Sequence, residues 1–235
     1  MRVLVTRPEP DGERTAAKLM ARGCEVLLAP LLRMETLDRA ELGRGPWAAV
    51  AMTSVNAARA IAQHPRLREL TPLPVFTVGR RTAQAARATG FAAVTSADGN
   101  LQDLVRLIGR QRPASLLYLA GEERSGDLAG EVAGHGVTAH TVVVYRAVEV
   151  AGLPPAAEAA LRSGGVDGVT HFSPRGAKIY LKRAQAAGIL DRALAPFHYC
   201  LSQAVAAPLV AAGAQRIAVA QKPDEASLVD LVASS

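Results

Sequence analysis

The sequence contains very little cysteine. Only two cysteines, Cys24 and Cys200, occur among 235 residues, and each lies in a short apolar run that is typical of a strand. No second thiol or histidine stands at ligand spacing, so a disulfide framework, a zinc site and a CxxC redox motif are excluded. The five histidines are scattered and form no HxxH or HExxH pair. We therefore expect two buried free thiols and no metal.

Long apolar runs are also missing. No stretch of about 18 apolar residues occurs, which disfavours a transmembrane helix. The N-terminus enters directly into the apolar run at residues 2–6, without the basic region and apolar core of a signal peptide. Hydrophobic residues still make up 49% of the chain and charged residues 20%, the balance of a globular protein with one or two domains. We expect a cytoplasmic protein that binds no membrane.

Glycine-rich nucleotide loops are absent as well. Arg7-Pro8-Glu9-Pro10 follows the first predicted strand, where a dinucleotide-binding protein would have GxGxxG, and GxxxxGK[ST] occurs nowhere. The chain has no GxSxG elbow and no Ser/His/acid set. Aromatic residues make up 4% of the sequence and are not interleaved with a basic patch, which disfavours nucleic acid as a partner. We expect no nucleotide and no cofactor.

Arginine, in contrast, is abundant. The formal net charge is +6, and 23 of the 27 basic residues are arginine, whose planar guanidinium suits carboxylates and phosphates. Biased codon usage in an alanine-rich chain explains much of this number. Five arginines nevertheless follow the C-terminal ends of predicted strands, where open α/β sheets bind ligands: Arg7, Arg80, Arg81, Arg124 and Arg175. Their placement indicates an anionic ligand.

Short β-branched apolar runs alternate with alanine-rich amphipathic stretches along the chain. Strands are predicted over residues 2–6, 24–29, 47–52, 74–78, 91–95, 115–119, 137–145, 166–172, 197–201 and 215–219. Helices are predicted over residues 11–22, 54–62, 80–89, 100–110, 123–134, 154–163, 174–187, 202–212 and 223–233. Nearly continuous apolar strands separated by helices predict an α/β fold of parallel sheets with helices on both faces.

An internal repeat divides this pattern into two similar lobes. Three pairs of segments correspond in kind: 50–57 with 169–177, 75–90 with 198–213, and 100–105 with 227–232. The middle copy continues into a further strand, helix and strand, whereas the C-terminal copy ends without them and the N-terminal segment has that pattern. We therefore expect a discontinuous lobe of residues 1–35 and 150–235, and an inserted lobe of residues 38–146. A linker of two adjacent crossing strands, near residues 31–37 and 146–152, would then join the lobes, with a cleft between them.

Helix starts follow predicted strands at Ser, Thr or Gly throughout both copies. They are Thr6-Arg7, Thr53-Ser54, Gly79-Arg80, Gly121-Glu122, Ser173-Pro174 and Ser202-Gln203. Ordinary N-capping explains any one of them. If all face a common cleft, their N–H groups and helix dipoles form a site for a multiply anionic ligand. Tyr145 ends the last strand of the inserted lobe and could reach that cleft, although a tyrosine in an apolar strand is more often a core residue.

A series of short segments then carries a family resemblance. In order they are Val3-Leu4-Val5-Thr6-Arg7-Pro8, Thr53-Ser54-Val55-Asn56-Ala57, Val78-Gly79-Arg80-Arg81-Thr82-Ala83, Ser96-Ala97-Asp98-Gly99-Asn100, Leu119-Ala120-Gly121, Val144-Tyr145, Phe172-Ser173-Pro174-Arg175 and Leu201-Ser202-Gln203-Ala204-Val205-Ala206. Each motif is weak alone, but the ordered set resembles the uroporphyrinogen-III synthases over the whole chain. The resemblance implies a cofactor-free enzyme of tetrapyrrole and heme biosynthesis. Its substrate would be hydroxymethylbilane, a linear tetrapyrrole with eight carboxylates, which the enzyme cyclises with inversion of the terminal ring through a spiro intermediate.

The resemblance also assigns roles to individual residues. Tyr145 matches the family's cleft tyrosine and is the expected catalytic residue, assisting departure of the substrate hydroxyl. Thr82 matches a threonine after the Val-Gly motif, and Ser173 matches a helix-capping serine. Ser202-Gln203-Ala204-Val205 departs from the threonine-containing segment of many members, which leaves the role of Ser202 open. The expected substrate-binding residues are Arg7, Thr53, Ser54, Gly79, Thr82, Gly121, Ser173 and Ser202.

Two other classes of protein remain as alternatives. One is a non-catalytic two-lobed binder that closes on an anionic small molecule, but such proteins commonly carry an export signal, which is not evident here. The other is a nucleotide-sugar or dinucleotide enzyme, which would need the missing glycine loop. As a synthase, the protein is expected to be a monomer whose partners are hydroxymethylbilane and the hydroxymethylbilane synthase that supplies it.

Overall fold

The computed structural model describes residues 1–124 and 126–235. In chain order its elements are β1 (Arg2–Val5), α1 (Asp11–Met20), β2 (Glu25–Leu28), β3 (Leu32–Thr36), β4 (Ala49–Met52), α2 (Val55–Ile61), α3 (Leu67–Leu70), β5 (Val75–Thr77), α4 (Arg80–Ala88), β6 (Val94–Ser96), α5 (Leu101–Gln111), β7 (Leu116–Gly121), α6 (Leu128–Ala133), β8 (Ala139–Glu149), α7 (Pro155–Arg162), β9 (Gly168–His171), α8 (Pro174–Ala186), α9 (Leu190–Leu194), β10 (Phe197–Cys200), α10 (Gln203–Ala211), β11 (Ile217–Val219) and α11 (Glu225–Ala233). They form two compact units, which we call the discontinuous unit (Met1–Arg33 with Val148–Ser235) and the inserted unit (Met34–Ala147).

The discontinuous unit is built on a five-stranded parallel sheet in the order β11-β10-β9-β1-β2. Val3, Leu4 and Val5 of β1 are fully buried, because helices cover both faces of the sheet. Leu4 joins an apolar cluster with Tyr180 on one face. Val3 and Val5 join a second cluster, with Leu19 of α1, on the other face.

The inserted unit is built on a six-stranded sheet in the order β3-β8-β7-β4-β5-β6. The five strands from β8 to β6 are parallel. Val50 and Met52 of β4 lie in one apolar cluster, and Ala49 and Ala51 of the same strand lie in another, so helices again cover both faces. The predicted fold class, two similar α/β lobes with parallel sheets, is confirmed.

The edge strand β3 completes this second sheet, and it lies in the segment near residues 31–37 that was predicted as a crossing strand. Leu37 N donates to Val144 O and Val150 N donates to Leu31 O, so the pairing of β3 with β8 is antiparallel. Residues 32–36 alternate apolar and polar side chains, as an edge strand with one covered face does. This alternation spans only five residues, so the segment was predicted as a crossing strand and not as part of a sheet.

Two of the predicted helix starts are wrong. The segment after β1 is not helical at Thr6-Arg7; α1 begins at Asp11, in agreement with the predicted helix over 11–22. Arg7 and Glu9 each precede a proline, which disfavours helical backbone at both positions. Nor does a helix follow Gly121 directly, because α6 begins at Leu128, where the Asp127 carboxylate accepts the N–H of Gly130 at 3.1 Å. Residue 125, within the helix predicted over 123–134, lies outside the described residues.

Both cysteines are buried and free, as predicted. Burial raises the pKa of the Cys200 thiol to about 12, so this sulfur keeps its proton at neutral pH. Within the described part of the chain, no helix is both long enough and apolar enough to span a membrane.

A pair of histidines is buried in the core of the discontinuous unit. His171 Nε2 lies 3.1 Å from His198 Nδ1, and the ring of Tyr180 packs edge-on against both imidazoles. Burial lowers the pKa of His171 well below its ordinary value, and the neighbouring His198 lowers it further. Burial also lowers the pKa of His198 to about 4, with a partly opposing effect of the Leu194 backbone. Both imidazoles are therefore neutral at pH 7.

Candidate active site

A cavity of about 240 Å³ opens at the C-terminal edge of the sheet in the inserted unit. Parallel α/β sheets bind their ligands at this edge, because loops and helix N-termini gather there. The cavity is lined by Thr53, Ser54, Val78, Leu101, Tyr118, Gly121, Glu123, Arg124, Gly126 and Tyr145. Four of the predicted site residues, Thr53, Ser54, Gly121 and Tyr145, thus come together in one place.

The connection from β4 to α2 brings two hydroxyl groups to the cavity. Ser54 has extended backbone, and its Oγ accepts the N–H of Asn56 at 3.1 Å, so the side chain caps α2. The neighbouring Thr53 Oγ1 lies 3.0 Å from the hydroxyl of Tyr118. Ser54 therefore fixes the start of α2, while the hydroxyl of Thr53 contacts the hydroxyl of Tyr118 on the neighbouring strand.

Tyr118 lies in the middle of β7, and its side chain packs in the apolar cluster beside α5 and α6. The residue is 3% exposed. Burial raises the pKa of this phenol, and the hydrogen bond with Thr53 and the charge of Arg124 oppose that shift only partly. The Tyr118 hydroxyl therefore keeps its proton at neutral pH.

Gly121 and Tyr145 are packed directly against each other. The pairing of β7 with β8 runs from Ala120 opposite Val143 to Gly121 opposite Tyr145, so Val144 is an extra residue that forms a β-bulge. A Cβ atom on Gly121 would lie 2.6 Å from Tyr145 Cζ and 2.7 Å from its hydroxyl oxygen. The tyrosine ring thus occupies the space that any side chain at position 121 would need.

The cavity is charged at its rim. Arg124 is exposed, and its Nη1 donates to the carbonyl oxygen of Gly121 at 3.1 Å. That bond holds the guanidinium beside the two tyrosines, where it can meet an anionic group. Glu123 also lines the cavity. Hydroxyl groups, backbone, one guanidinium and one carboxylate therefore surround a small and largely polar space.

Gly79 and Thr82 lie outside this cavity, although Val78 lines it. Gly79 is the N-cap residue of α4, with extended backbone, and a Cβ atom there would meet no other atom within 4 Å. Thr82 is buried in the first turn of α4, at 5% exposure. These two residues form the end of the neighbouring strand–helix connection.

The remaining predicted site residues belong to the discontinuous unit. Ser173 caps α8, since its Oγ accepts the N–H of Gly176 at 3.0 Å. Ser202 stands at the equivalent position of α10, where, in the described structure, its hydroxyl makes no capping hydrogen bond. The guanidinium of Arg7 donates to Asp11 at 2.9 Å and to Glu225 at 3.1 Å, and it stacks on Phe172 at 4.5 Å. Arg7 is thus held by two carboxylates of its own chain.

Tyr118 is a lining residue that the sequence analysis did not single out. It lies within the run from Leu116 to Ala120, which is otherwise aliphatic, and such a position is typical of a core residue. The one available signal is a hydroxyl-bearing side chain in a strand that ends at a site motif.

Among the described residues, no group of three or more His, Cys, Asp and Glu side chains could hold a metal ion.

Comparisons with known proteins indicate the same family. The sequence model of one family, described as uroporphyrinogen-III synthase HemD, matches residues 13–230. Among solved structures, uroporphyrinogen-III synthetase from Helicobacter pylori 26695 is similar with a TM-score of 0.67 and 20% identity, covering 100% of this chain and 99% of that chain. A mutant uroporphyrinogen III synthase from the extremely thermophilic bacterium Thermus thermophilus has a TM-score of 0.51 and 16% identity, covering 99% and 97%.

The comparison with curated proteins gives no match. At these sequence identities the two structural likenesses establish the fold alone. The family match is a separate finding, because it spans nearly the whole sequence. The chain therefore belongs to the uroporphyrinogen-III synthase family.

Proposed function

We propose that this protein is a uroporphyrinogen-III synthase, a cyclising lyase that converts hydroxymethylbilane into the macrocycle with its terminal ring inverted. The observation that carries this proposal is the family match over residues 13–230. The net charge of +6 suits a substrate with many carboxylates. Of the alternatives, the non-catalytic binder has no supporting observation.

In the proposed reaction, Tyr145 is the proton donor. The carbon–oxygen bond of the substrate breaks, and the hydroxyl takes the phenolic proton and leaves as water. An azafulvenium cation and the tyrosine phenolate remain. The far ring attacks this carbon through its substituted α-carbon to give the spiro intermediate. The bond from that α-carbon to its original methylene bridge then breaks, and the ring recloses through its other α-carbon, so that it is inverted. The proton lost from the ring in the last step restores the phenol. Position supports this role, because Tyr145 lines the cavity beside Thr53.

The other groups would hold the substrate in the conformation that favours inversion. The substrate is reactive and cyclises without inversion if left alone, so orientation is the main task of the protein. In this proposal Thr53, Ser54 and Gly121 bind from within the cavity. Its volume of about 240 Å³ is below the roughly 300 Å³ needed for a drug-sized ligand, so it would take one part of a tetrapyrrole. The remaining binding groups would be Arg7, Gly79, Thr82, Ser173 and Ser202.

We further propose that residues 1–35 with 150–235, and residues 38–146, are the two domains of this enzyme. Each of the two compact units has its own sheet and its own apolar clusters, which supports this division. The protein would act as a cytoplasmic monomer that receives its substrate from hydroxymethylbilane synthase. Expression of residues 34–147 alone, followed by thermal unfolding, tests the division. A segment that never folds would contradict it.

The activity is tested with hydroxymethylbilane and purified protein, without added cofactor. Products are oxidised to porphyrins and the two isomers are separated by chromatography. We expect the inverted isomer to predominate with the protein and the uninverted isomer without it. Tight binding of the substrate without any change in the isomer ratio would instead identify a binder.

A further inference from the structure

The hydroxyl of Tyr118 has a specific partner although its ring lies in the core. The ring is packed among apolar side chains beside α5 and α6, and the hydroxyl reaches Thr53 Oγ1 at 3.0 Å. Tyr118 pairs with Ala51 of the neighbouring strand β4, and Thr53 directly follows that strand. The hydrogen bond therefore connects the core of the unit to the wall of the cavity.

The direction of this hydrogen bond follows from the chemistry of the two hydroxyls. A phenol is a stronger acid than an aliphatic alcohol, so Tyr118 is the better donor and Thr53 the better acceptor. Burial raises the pKa of Tyr118, so the phenol keeps the proton that it donates. The hydrogen of Thr53 is then left for an acceptor on the cavity side. The bond also selects one orientation among the staggered rotamers that threonine can adopt.

We propose that Tyr118 is a positioning residue that holds the Thr53 hydroxyl as a donor to one carboxylate of the substrate. This inference rests on the function proposed above and adds a carboxylate subsite to it. Arg124 lines the same cavity, and its guanidinium is held there by the carbonyl oxygen of Gly121. The subsite thus combines one oriented hydroxyl with one positive charge, a pairing that suits a carboxylate.

The test is a set of substitutions that remove hydroxyl groups and keep the side-chain shape. Tyr118→Phe should raise the Michaelis constant by about 2-fold to 12-fold, the equivalent of one neutral hydrogen bond, with little change in turnover. In a Thr53→Val protein, which has no hydroxyl to orient, Tyr118→Phe should change the Michaelis constant no further. In a Thr53→Ser protein the effect of Tyr118→Phe should return.

Tyr180→Phe is the matched control. Tyr180 is also buried, and its hydroxyl donates to the carbonyl of Ala193 at 2.9 Å in the discontinuous unit. This substitution should lower stability without changing the Michaelis constant. If Tyr118→Phe behaves in the same way, or if its effect persists in full in the Thr53→Val protein, the hydroxyl only packs the core and the inference is wrong.

A crystal structure of Tyr118→Phe tests the same inference without any activity. The Thr53 side chain should change its rotamer or occupy more than one, whereas an unchanged rotamer would overturn the positioning role. Failure of the proposed function has a different signature, namely no excess of the inverted isomer with the unaltered protein.

Discussion

Replacing Gly121 by alanine should displace the catalytic tyrosine proposed here. The added Cβ would lie 2.6 Å from Tyr145 Cζ, 2.7 Å from its oxygen and 2.9 Å from Cε2. Non-bonded carbon atoms prefer separations of about 3.5–4.0 Å. The ring must therefore retreat by about 1 Å, or the two paired strands must part.

The size of the effect follows from this displacement. Overpacking of a buried site typically costs about 1–3 kcal/mol of unfolding free energy. A reacting group displaced by about 1 Å can cost about 100-fold in rate. We therefore expect Gly121→Ala to lower turnover by about 10-fold to 100-fold. Its unfolding free energy should fall by about 1–3 kcal/mol. The isomer ratio should also shift toward the uninverted product.

The assay compares turnover, isomer ratio and urea unfolding in Gly121→Ala and in Gly152→Ala. Gly152 is exposed and a Cβ atom there would meet nothing within 4 Å, so this control should resemble the unaltered protein. In a Tyr145→Ala background, Gly121→Ala should cause little further destabilisation, because the ring is gone. Normal turnover and stability in Gly121→Ala would refute the proposed dependence of Tyr145 on a glycine.

Three further predictions concern other groups. Tyr145→Phe should fold and bind substrate, but its turnover should fall by up to about 100-fold and it should form more uninverted isomer; unchanged turnover and isomer ratio would leave the ring a packing role only. The Michaelis constant should rise between about 0.05 M and 0.5 M salt, because screening weakens the contacts of substrate carboxylates with arginine and helix N-termini. A Michaelis constant that does not change with salt would contradict a binding site for anionic groups. The free energy of unfolding should fall as the pH drops from about 6.5 to about 4, because His198 binds a proton in the unfolded chain but stays neutral in the folded core. The loss of unfolding free energy from His198 reaches about 3 kcal/mol when the pH has fallen to its lowered pKa of about 4. Urea unfolding against pH measures it. His198→Leu should make the dependence shallower and leave the part that comes from the buried His171. The same change at the exposed His135 should leave the dependence as it is.

The alternation of strands and helices could be predicted because each central strand is apolar on both faces. β4 and β7 are fully buried and appear in the sequence as unbroken apolar runs. The predicted helix over 11–22 agrees with the start of α1 at Asp11. The expected helix start at Thr6-Arg7 failed because Pro8 and Pro10 disfavour helical backbone directly after β1. The edge strand β3 lacks such a run, because one of its faces is not covered.

The residues that meet at the cavity could be predicted in part. Thr53, Ser54, Gly121 and Tyr145 follow or end strands that become neighbours, and parallel strands end at one edge of a sheet. The two carboxylate partners of Arg7 were harder to foresee. Glu225 is separated from Arg7 by more than two hundred residues, and a single sequence does not show which carboxylate a given arginine meets.

The link between Gly121 and Tyr145 depends on one inserted residue, and nothing in the sequence marks it. The run Val142-Val143-Val144-Tyr145 has no glycine or proline to indicate a bulge. In an unbroken register, Gly121 would pair with Val144, and Tyr145 would lie one residue further along β8. The extra residue brings Tyr145 level with the one position in β7 that has no side chain. The bulge and the glycine therefore act together. Without the bulge the tyrosine would not lie opposite Gly121, and with a side chain at position 121 its ring would not fit.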